Sequence, residues 1–197
     1  MIVLRHATTA DADAVGRLHL ASWRHAYRGI FTDHFLEHVA AVNREGTWRS
    51  RLAADHIADI RTRLAYDAGE GVTPEQDGRP AARDANALLG FSCTSRIADP
   101  AWGVLLDNLH VRPDVHGRGI GRVLIGDVAA WTVREHPGLP LHLWVYEANH
   151  QARAFYDRLG GVSVEAMTGR ASDGGSACCL RYVWRDVAVL LATTGSR

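Results

Sequence analysis

The stretch from Val111 to Gly121 combines the end of a strand, a turn rich in glycine and the start of an amphipathic helix. Gly117, Gly119 and Gly121 occupy alternate positions in it. Glycine has no Cβ atom, and the first N–H groups of a helix have no partner within that helix, so such a turn presents main-chain donors to an anion. The spacing therefore predicts an α/β chain whose strand-to-helix junction can hold a diphosphate.

Two common phosphate-binding motifs do not match this turn. A P-loop requires Gly-Lys-Ser/Thr, which does not follow, and a dinucleotide fingerprint requires GxGxxG, whereas residues 117–121 read GxGxG. Arg118 and Arg122 flank the glycines, and either guanidinium could add positive charge at the rim. The turn alone leaves open whether the glycines serve a ligand or only a tight bend.

A second pattern follows downstream of the first. A buried strand ends near Val145, Asn149 stands at the N-cap of a helix that carries Phe155 and Tyr156, and Gly160 ends that helix. The two segments occur in the order of the GNAT acetyltransferase motifs, Gln/Arg-x-x-Gly-x-Gly/Ala and then Asn-x-x-Ala with Phe-Tyr-x-x-Leu-Gly, and the chain resembles that family over nearly its whole length. His116 departs from the usual Gln or Arg, which affects a side-chain contact rather than the backbone donors.

The resemblance implies an α/β (α+β) fold with a mixed, mostly antiparallel central sheet and helices on both faces. Strands 4 and 5 splay into a V, and acetyl-CoA lies in the gap as the cosubstrate. The implied activity is transfer of the acetyl group of acetyl-CoA to an amine acceptor, by direct attack on the thioester in a ternary complex. The residues implied in cofactor binding are Leu109, His110, Val111, His116, Gly117, Arg118, Gly119, Ile120, Gly121, Arg122, Asn149, Ala152 and Tyr156.

Acetyl transfer needs a neutral amine and a protonated leaving thiol. A lysine-like amine has a pKa of about 10.4, so we expect a carboxylate or a water chain to remove its proton. Asp107 is the candidate base, because strand alternation places it on one face with Leu109 and Val111; the alternative is a surface carboxylate. Tyr156 matches the family's proton donor, although a tyrosine at this helical position also suits core packing. The N–H of Val111 is the candidate oxyanion donor.

Three aromatic residues, Trp23, Tyr27 and Phe31, are candidates for the acceptor-binding surface together with Asp107. Core packing explains each aromatic residue equally well. The turn from Gly169 to Ser176 contains two consecutive glycines and could move over the same mouth.

Hydrophobic periodicity and turn residues predict further elements. The predicted helices run from Thr8 to about Trp23, from Thr32 to about Ala41, around Trp48 to Ala54, and from Arg118 until Pro137. The predicted strands cover Arg63 to Tyr66, Ala87 to Thr94, Trp102 to Val111, Leu141 to Val145, Val162 to Met167 and Ala177 to Trp184.

Length and charge restrict the class of protein. The 197 residues predict a single N-acetyltransferase domain over 1–197, with a flexible surface loop at 69–86 where glycine and proline lie among charged residues. Twenty-two basic residues balance 22 acidic ones without a block of like charge, so neither nucleic acid nor a membrane is an expected partner. The N-terminus lacks a secretory pattern, and three cysteines make no disulfide framework, which favours the cytoplasm. Family resemblance also allows a homodimer.

Two other functions remain as alternatives. Residues His34 to His38 match the H-x-x-E-H zinc motif of inverted metalloproteases, with both imidazoles on one helical face. Eleven histidines make such a match easy, and no third ligand is evident, so no metal is expected. The second alternative is a non-catalytic acyl-CoA-binding sensor or scaffold module.

Overall fold

A computed structural model describes residues 1–54, 60–68, 88–99 and 101–195 of the chain. The loop predicted at 69–86 lies outside the described residues. The strands are β1 (Ile2–His6), β2 (Ile60–Asp67), β3 (Leu88–Asp99), β4 (Gly103–Val111), β5 (Leu141–Tyr146), β6 (Val162–Arg170) and β7 (Ser176–Trp184). The α-helices are α1 (Ala12–Ala26), α2 (Ala40–Ala54), α3 (Ile120–Glu135), α4 (His150–Arg158) and α5 (Val187–Gly195).

The seven strands form one sheet in the order β1-β2-β3-β4-β5-β7-β6. Every neighbouring pair is antiparallel except β4 and β5, which run parallel. These two strands pair only at Val104 with Leu141 and at Leu105 with His142, yet they continue to Val111 and Tyr146. The sheet therefore opens along the second half of β4, which confirms the predicted mixed sheet with a splay between strands 4 and 5.

Helices cover both faces of the sheet because side chains alternate along each strand. On one face, Leu18 of α1 and Trp48 of α2 pack with Leu64 of β2. On the other face, Leu124 of α3 packs with Ala65, the next residue of β2. The first face carries α1 and α2, the second carries α3 with α4 and α5, and the gap between β4 and β5 lies between the two layers.

The start of α1 is fixed by a capping box between Thr8 and Asp11. Thr8 and Asp11 exchange hydrogen bonds across a short 3-10 turn, with the Thr8 N–H donating to the Asp11 carboxylate at 2.8 Å. The helix then runs to Ala26, one turn beyond the predicted end near Trp23.

The two helices predicted between Thr32 and Ala54 are one continuous helical run. A π-helical segment, Phe35–Val39, passes directly into α2. Gly46 is a poor helix former, and it separates the two apolar patterns in the sequence. Trp48 is fully buried against α1 and the sheet, so tertiary packing maintains the helix through the weak position.

Candidate active site

A cleft of about 400 Å³ occupies the gap between β4 and β5. Its walls come from both faces of the sheet, with α1 on one side and the glycine turn, α3 and α4 on the other. The predicted site residues that line it are Tyr27, Asp107, Leu109, His110, Val111, His116, Gly117, Gly119, Ile120, Gly121, Arg122, Asn149, Ala152 and Tyr156. The fold thus brings most of the predicted residues to one place. Ser22, Ala26, Trp144, Gln151, Phe155 and Arg158 also line the cleft and were not predicted.

The glycine turn has the backbone that the sequence suggests. Gly117 and Gly119 have φ angles of +81° and +80°, a region that favours glycine, and Gly119 is the N-cap of α3. A Cβ atom at either position would meet nothing within 4 Å, so glycine is required for conformation rather than for space inside the protein. The first intrahelical bond joins the Val123 N–H to the Gly119 oxygen at 3.0 Å. The preceding N–H groups of the helix start therefore remain available for an anion.

His116 supports this turn through its side chain. Its Nε2 lies 3.2 Å from the carbonyl oxygen of Val111, and because a carbonyl only accepts, Nε2 must donate. The imidazole also contacts the ring of His25, with centroids 5.3 Å apart. The departure from the family's Gln or Arg thus leaves a residue that ties the turn to the end of β4.

The two arginines of the turn have different partners. The guanidinium of Arg118 binds Asp67 at 2.8 Å, and its side chain is not among the described residues that line the cleft. Arg122 lines the cleft, but its Nε donates to the Thr194 oxygen at 3.2 Å and its Nη2 donates to the Thr193 oxygen. The Arg118 side chain therefore lies outside the cleft with Asp67, and its contact with the cofactor stays a prediction.

The strand register turns donors of β4 into the gap. The Arg112 N–H donates to the Leu89 oxygen at 2.8 Å, so Arg112 and Leu89 form a hydrogen-bonded pair. Alternation then makes Val111 with Gly90 a non-hydrogen-bonded pair, in which the N–H and C=O of Val111 face away from β3. The same holds for Leu109. The main-chain groups of both residues point towards the place that β5 leaves open.

A β-bulge interrupts β4 at Asp107. Cys93 pairs with Asn108, but the next residue, Thr94, pairs with Leu106, so Asp107 has no opposite residue on β3. An extra residue of this kind shifts the alternation of side chains by one position.

The bulge corrects the face that was predicted for Asp107. Leu109 and Val111 pack with the cluster under α3, whereas the Asp107 carboxylate reaches Arg51 of α2 on the opposite face, at 2.6 Å. The Nδ2 of Asn108 donates to the same Asp107 oxygen at 2.8 Å. Asp107 lines the cleft on the side of α1 and α2, where its charge is already balanced by a guanidinium.

Tyr156 and Asn149 lie on the opposite side, in α4. The Tyr156 ring is buried in the core with Tyr182 and Trp184, while its hydroxyl forms no hydrogen bond with any residue that the structure describes. Burial raises the pKa of the Tyr156 phenol well above its usual value, and the nearby Tyr27 phenol raises it further. Tyr156 therefore remains a protonated donor at neutral pH. Asn149 caps the helix, because its Oδ1 accepts from the Ala152 N–H at 3.1 Å.

Two of the three aromatic residues predicted for the acceptor surface belong to the core. Trp23 and Phe31 are 7% and 4% exposed and pack with Phe35 and Leu36. Neither is among the described residues that line the cleft, and their assignment to acceptor binding stays a prediction. Tyr27, at the end of α1, does line it. The three rings pack against one another, but of the three only Tyr27 is among the described residues at the cleft.

The turn between β6 and β7 is bound to the segment that follows α1 and does not lie over the cleft. An oxygen of Asp173 accepts from the Thr32 N–H at 3.1 Å, and Ala171 is buried with Phe31 and Phe35. The described residues that line the cleft include none from this turn.

The zinc motif holds its glutamate in ion pairs. Glu37 binds Arg28 at 2.6 Å and Arg24 at 3.1 Å, and these guanidinium groups lower the pKa of its carboxyl. The rings of His34 and His38 have centroids 5.2 Å apart. Within the described ranges, no group of three or more metal-ligating side chains comes together. None of the described helices is both long and apolar enough to cross a bilayer.

A sheet that opens between two parallel strands, with a glycine turn and a helix start at the mouth of the gap, defines the N-acyltransferase class of folds. The chain belongs to the GNAT family of acetyltransferases, whose family model matches residues 24–161. It is 32% identical over 157 residues to a mycothiol acetyltransferase from Propionibacterium freudenreichii subsp. shermanii. The alignment covers 75% of this chain and 47% of that relative, so the chain spans about half the length of the curated relative it matches.

Solved structures show the same fold. PaiA N-acetyltransferase from Thermoplasma acidophilum, crystallised with coenzyme A, superposes with a TM-score of 0.67 at 16% identity, over 92% of this chain and 98% of that one. Arabidopsis thaliana NAA60, in complex with a bisubstrate analogue, superposes with a TM-score of 0.61 at 17% identity, over 93% and 97% of the two chains.

Proposed function

We propose that this chain is an N-acetyltransferase that transfers the acetyl group of acetyl-CoA to an amine by direct attack in a ternary complex. The observation that carries the proposal is the cleft between β4 and β5, where the glycine turn, the main-chain donors of Val111 and the Tyr156 phenol line one space. Membership of the GNAT family supports the same activity.

The residues present suit acetyl-CoA in three respects. The N–H groups of the helix start after Gly119 suit a diphosphate, and the splayed edge of β4 offers donors and acceptors for the amide groups of a pantetheine arm. The mixed apolar and polar lining of the cleft suits an extended thiol ester. We propose that Asn149, in addition to its observed role as a helix cap, contacts the pantetheine arm of the cofactor.

The chemistry follows from the position of each group. Bound acetyl-CoA supplies an acetyl group that is activated as a thioester. The N–H of Val111 donates to the oxygen on which negative charge develops as the amine attacks, and such a donor contributes about 3 kcal/mol to transition-state stabilisation. Tyr156, kept protonated by its burial, donates to the leaving sulphur.

The acceptor amine enters from the face of α1 and α2. Tyr27 and Asp107 line the cleft on that side, while the glycine turn and α4 occupy the other. Because Asp107 lines the cleft on this side, we propose that its carboxylate helps to bind the acceptor amine. Its role as the base stays a prediction.

We also retain a cytoplasmic location and a homodimer as proposals. Cys93, Cys178 and Cys179 are all free thiols, as a reducing compartment favours. Val162 and Met167 of the edge strand β6 are 60% and 53% exposed, and apolar surface of this kind favours association. The molar mass from light scattering tests the dimer.

A panel of amines with detection of free CoA tests the activity and the acceptor class together. We expect Tyr156→Phe to lower kcat by about a hundredfold, which is typical of a lost general acid, with the acetyl-CoA affinity unchanged. Tyr66→Phe is the matched control, because it removes a phenolic hydroxyl that binds Arg5 outside the cleft. Tight acetyl-CoA binding without CoA release for any amine would instead identify a non-catalytic sensor.

A further inference from the structure

Ser22 and His110 form a hydrogen-bonded pair in the cleft wall. The Oγ of Ser22 lies 3.0 Å from the Nδ1 of His110, and both residues line the cleft on the face of α1. Ser22 is 7% exposed and lies in the second half of α1, one turn after His19. A buried hydroxyl that faces a strand from within a helix is fixed in direction, so the pair is preorganised on the side from which the acceptor enters.

A second imidazole holds the ring of His110 in place. The indole N–H of Trp48 can only donate, and it lies 2.8 Å from the Nδ1 of His19, so that nitrogen accepts and His19 is neutral. The ring centroids of His19 and His110 lie 4.3 Å apart, and the ring centroid of Phe91, on β3, lies 5.3 Å from that of His110. A neutral neighbour does not oppose a positive charge on His110.

The predicted base is less suited to accept a proton. The Asp107 carboxylate already accepts from Arg51 at 2.6 Å and from Asn108 at 2.8 Å. The Asp107 oxygen that accepts both contacts must give up one of them before it can take a proton from the amine. Ser22 Oγ and His110 Nδ1, in contrast, already form the donor–acceptor contact along which a proton can pass.

We propose that Ser22 and His110 are the proton relay that deprotonates the acceptor amine. As the nitrogen lone pair forms the bond to the acetyl carbon, the amine proton passes to Ser22 Oγ, and the original hydroxyl proton passes to His110 Nδ1. The electron pair of the C–S bond leaves with sulphur, which takes the Tyr156 proton. The imidazolium then returns its proton through solvent to the phenolate. This inference rests on the proposed acetyltransferase function.

Other titratable groups surround the pair, and they define the pH test. His19 and Tyr27 belong to α1, Arg51 to α2, Asp107 to β4, Tyr156 to α4, and His116 to the glycine turn. Imidazoles are the side chains that ordinarily change charge between pH 5 and 8. A relay through His110 therefore produces an acidic limb in kcat/KM, and this limb disappears with His110 although His19 and His116 remain.

The test compares His110→Gln, Ser22→Ala and the double variant, with the best amine from the panel. We expect His110→Gln to lower kcat/KM about a hundredfold or more and to remove the acidic limb. Ser22→Ala should lower it by a similar or smaller factor, and the double variant should lose no more than His110→Gln alone, because the two side chains act as one unit. His34→Gln, an exposed histidine on the helix before α2, is the control for loss of an imidazole.

The outcomes separate the relay from two alternatives, which are a damaged fold and Asp107 as the base. We expect calorimetry to give every variant the same acetyl-CoA affinity as the unchanged protein. Such a match shows that the fold of the variant is intact. If His110→Gln loses affinity for acetyl-CoA, the kcat/KM of Ser22→Ala tests the relay instead, because that variant keeps the packed rings of His19, His110 and Phe91. Unchanged kcat/KM in both variants, or loss of the acidic limb in Asp107→Asn instead, overturns the relay while the acetyltransferase function stands. Failure of the unchanged protein to acetylate any amine overturns both.

Discussion

At the scale of single residues, the site depends on two glycines with left-handed backbone. Gly119 has a φ of +80° and caps α3, and a side chain there would strain the turn although it would clash with nothing. Left-handed backbone costs an alanine about 1 to 2 kcal/mol, so relief of that strain would move the N–H groups away from a bound diphosphate.

We therefore expect Gly119→Ala to raise the Kd for acetyl-CoA about tenfold, measured by calorimetry. Gly46→Ala is the matched control. Gly46 lies inside α2 with open space around it, so alanine should stabilise the protein by up to about 1 kcal/mol and leave the Kd unchanged. An unchanged Kd for Gly119→Ala would show that the turn does not hold the ligand.

Some of the site residues can be predicted from the sequence, and others cannot. Tyr156, Asn149 and the glycine turn could be placed because each belongs to a short pattern of fixed spacing. Ser22 carries a usable signal, because it is a polar residue at helical spacing from Val15 and Leu18 on the buried face of α1. Nothing in the sequence distinguishes Tyr27, which reaches the cleft, from Trp23, which packs in the core, because that difference depends on where α1 ends.

At the scale of elements, periodicity predicts most of the helices and strands but not their irregularities. The bulge at Asp107 depends on the register between β3 and β4, which cannot be predicted from the sequence of β4 alone. The π-helical segment Phe35–Val39 lies inside the helix predicted from Thr32 to about Ala41, and the spacing of apolar residues does not reveal its wider turn. The bulge lies beside the cleft, where it turns Asp107 towards Arg51 and returns His110 to the face of Ser22.

We expect the hairpin between β6 and β7 to support the helical layer rather than to bind the acceptor. Asp173 accepts from the Thr32 N–H, which joins this turn to the segment between α1 and α2. We expect Asp173→Ala to lower the free energy of unfolding by about 1 kcal/mol, as for a lost hydrogen bond to a carboxylate, with the acceptor KM unchanged. Urea unfolding and steady-state kinetics measure the two effects. A raised KM would restore the turn as a lid.

At the scale of the whole molecule, the cleft crosses the sheet, so donor and acceptor can approach from opposite faces. The glycine turn, α3 and α4 form the wall on one face, and α1 with Ser22 and Tyr27 forms it on the other. This arrangement requires β4 and β5 to separate while both remain fixed to their outer neighbours, β3 and β7. The paired edges supply rigidity, and the unpaired edges supply the donors.

The pH dependence of folding tests how the N-terminal strand is held to this framework. Arg5 of β1 binds Asp11 at the start of α1 at 2.6 Å and the Tyr66 hydroxyl of β2 at 2.7 Å. Burial raises the pKa of the Asp11 carboxyl, but the hydrogen bonds from Arg5 and Thr8 outweigh it, so the pKa in the folded protein lies below its usual value. A lowered pKa stabilises the fold above the unfolded value, about 3.9, and this contribution is lost as the pH falls through the folded value.

Asp11→Asn should therefore lower the free energy of unfolding at pH 7 by about 1 to 3 kcal/mol, the cost of leaving the half-buried Arg5 guanidinium without its carboxylate partner. The difference between the variant and the unchanged protein should shrink below about pH 4, because acid protonates Asp11 in the unchanged protein and leaves the variant's amide untouched. Urea unfolding at pH 7, 5 and 3 measures it. A difference that stays constant across this range would mean that Asp11 stabilises the N-terminal strand through its shape and packing rather than through its charge.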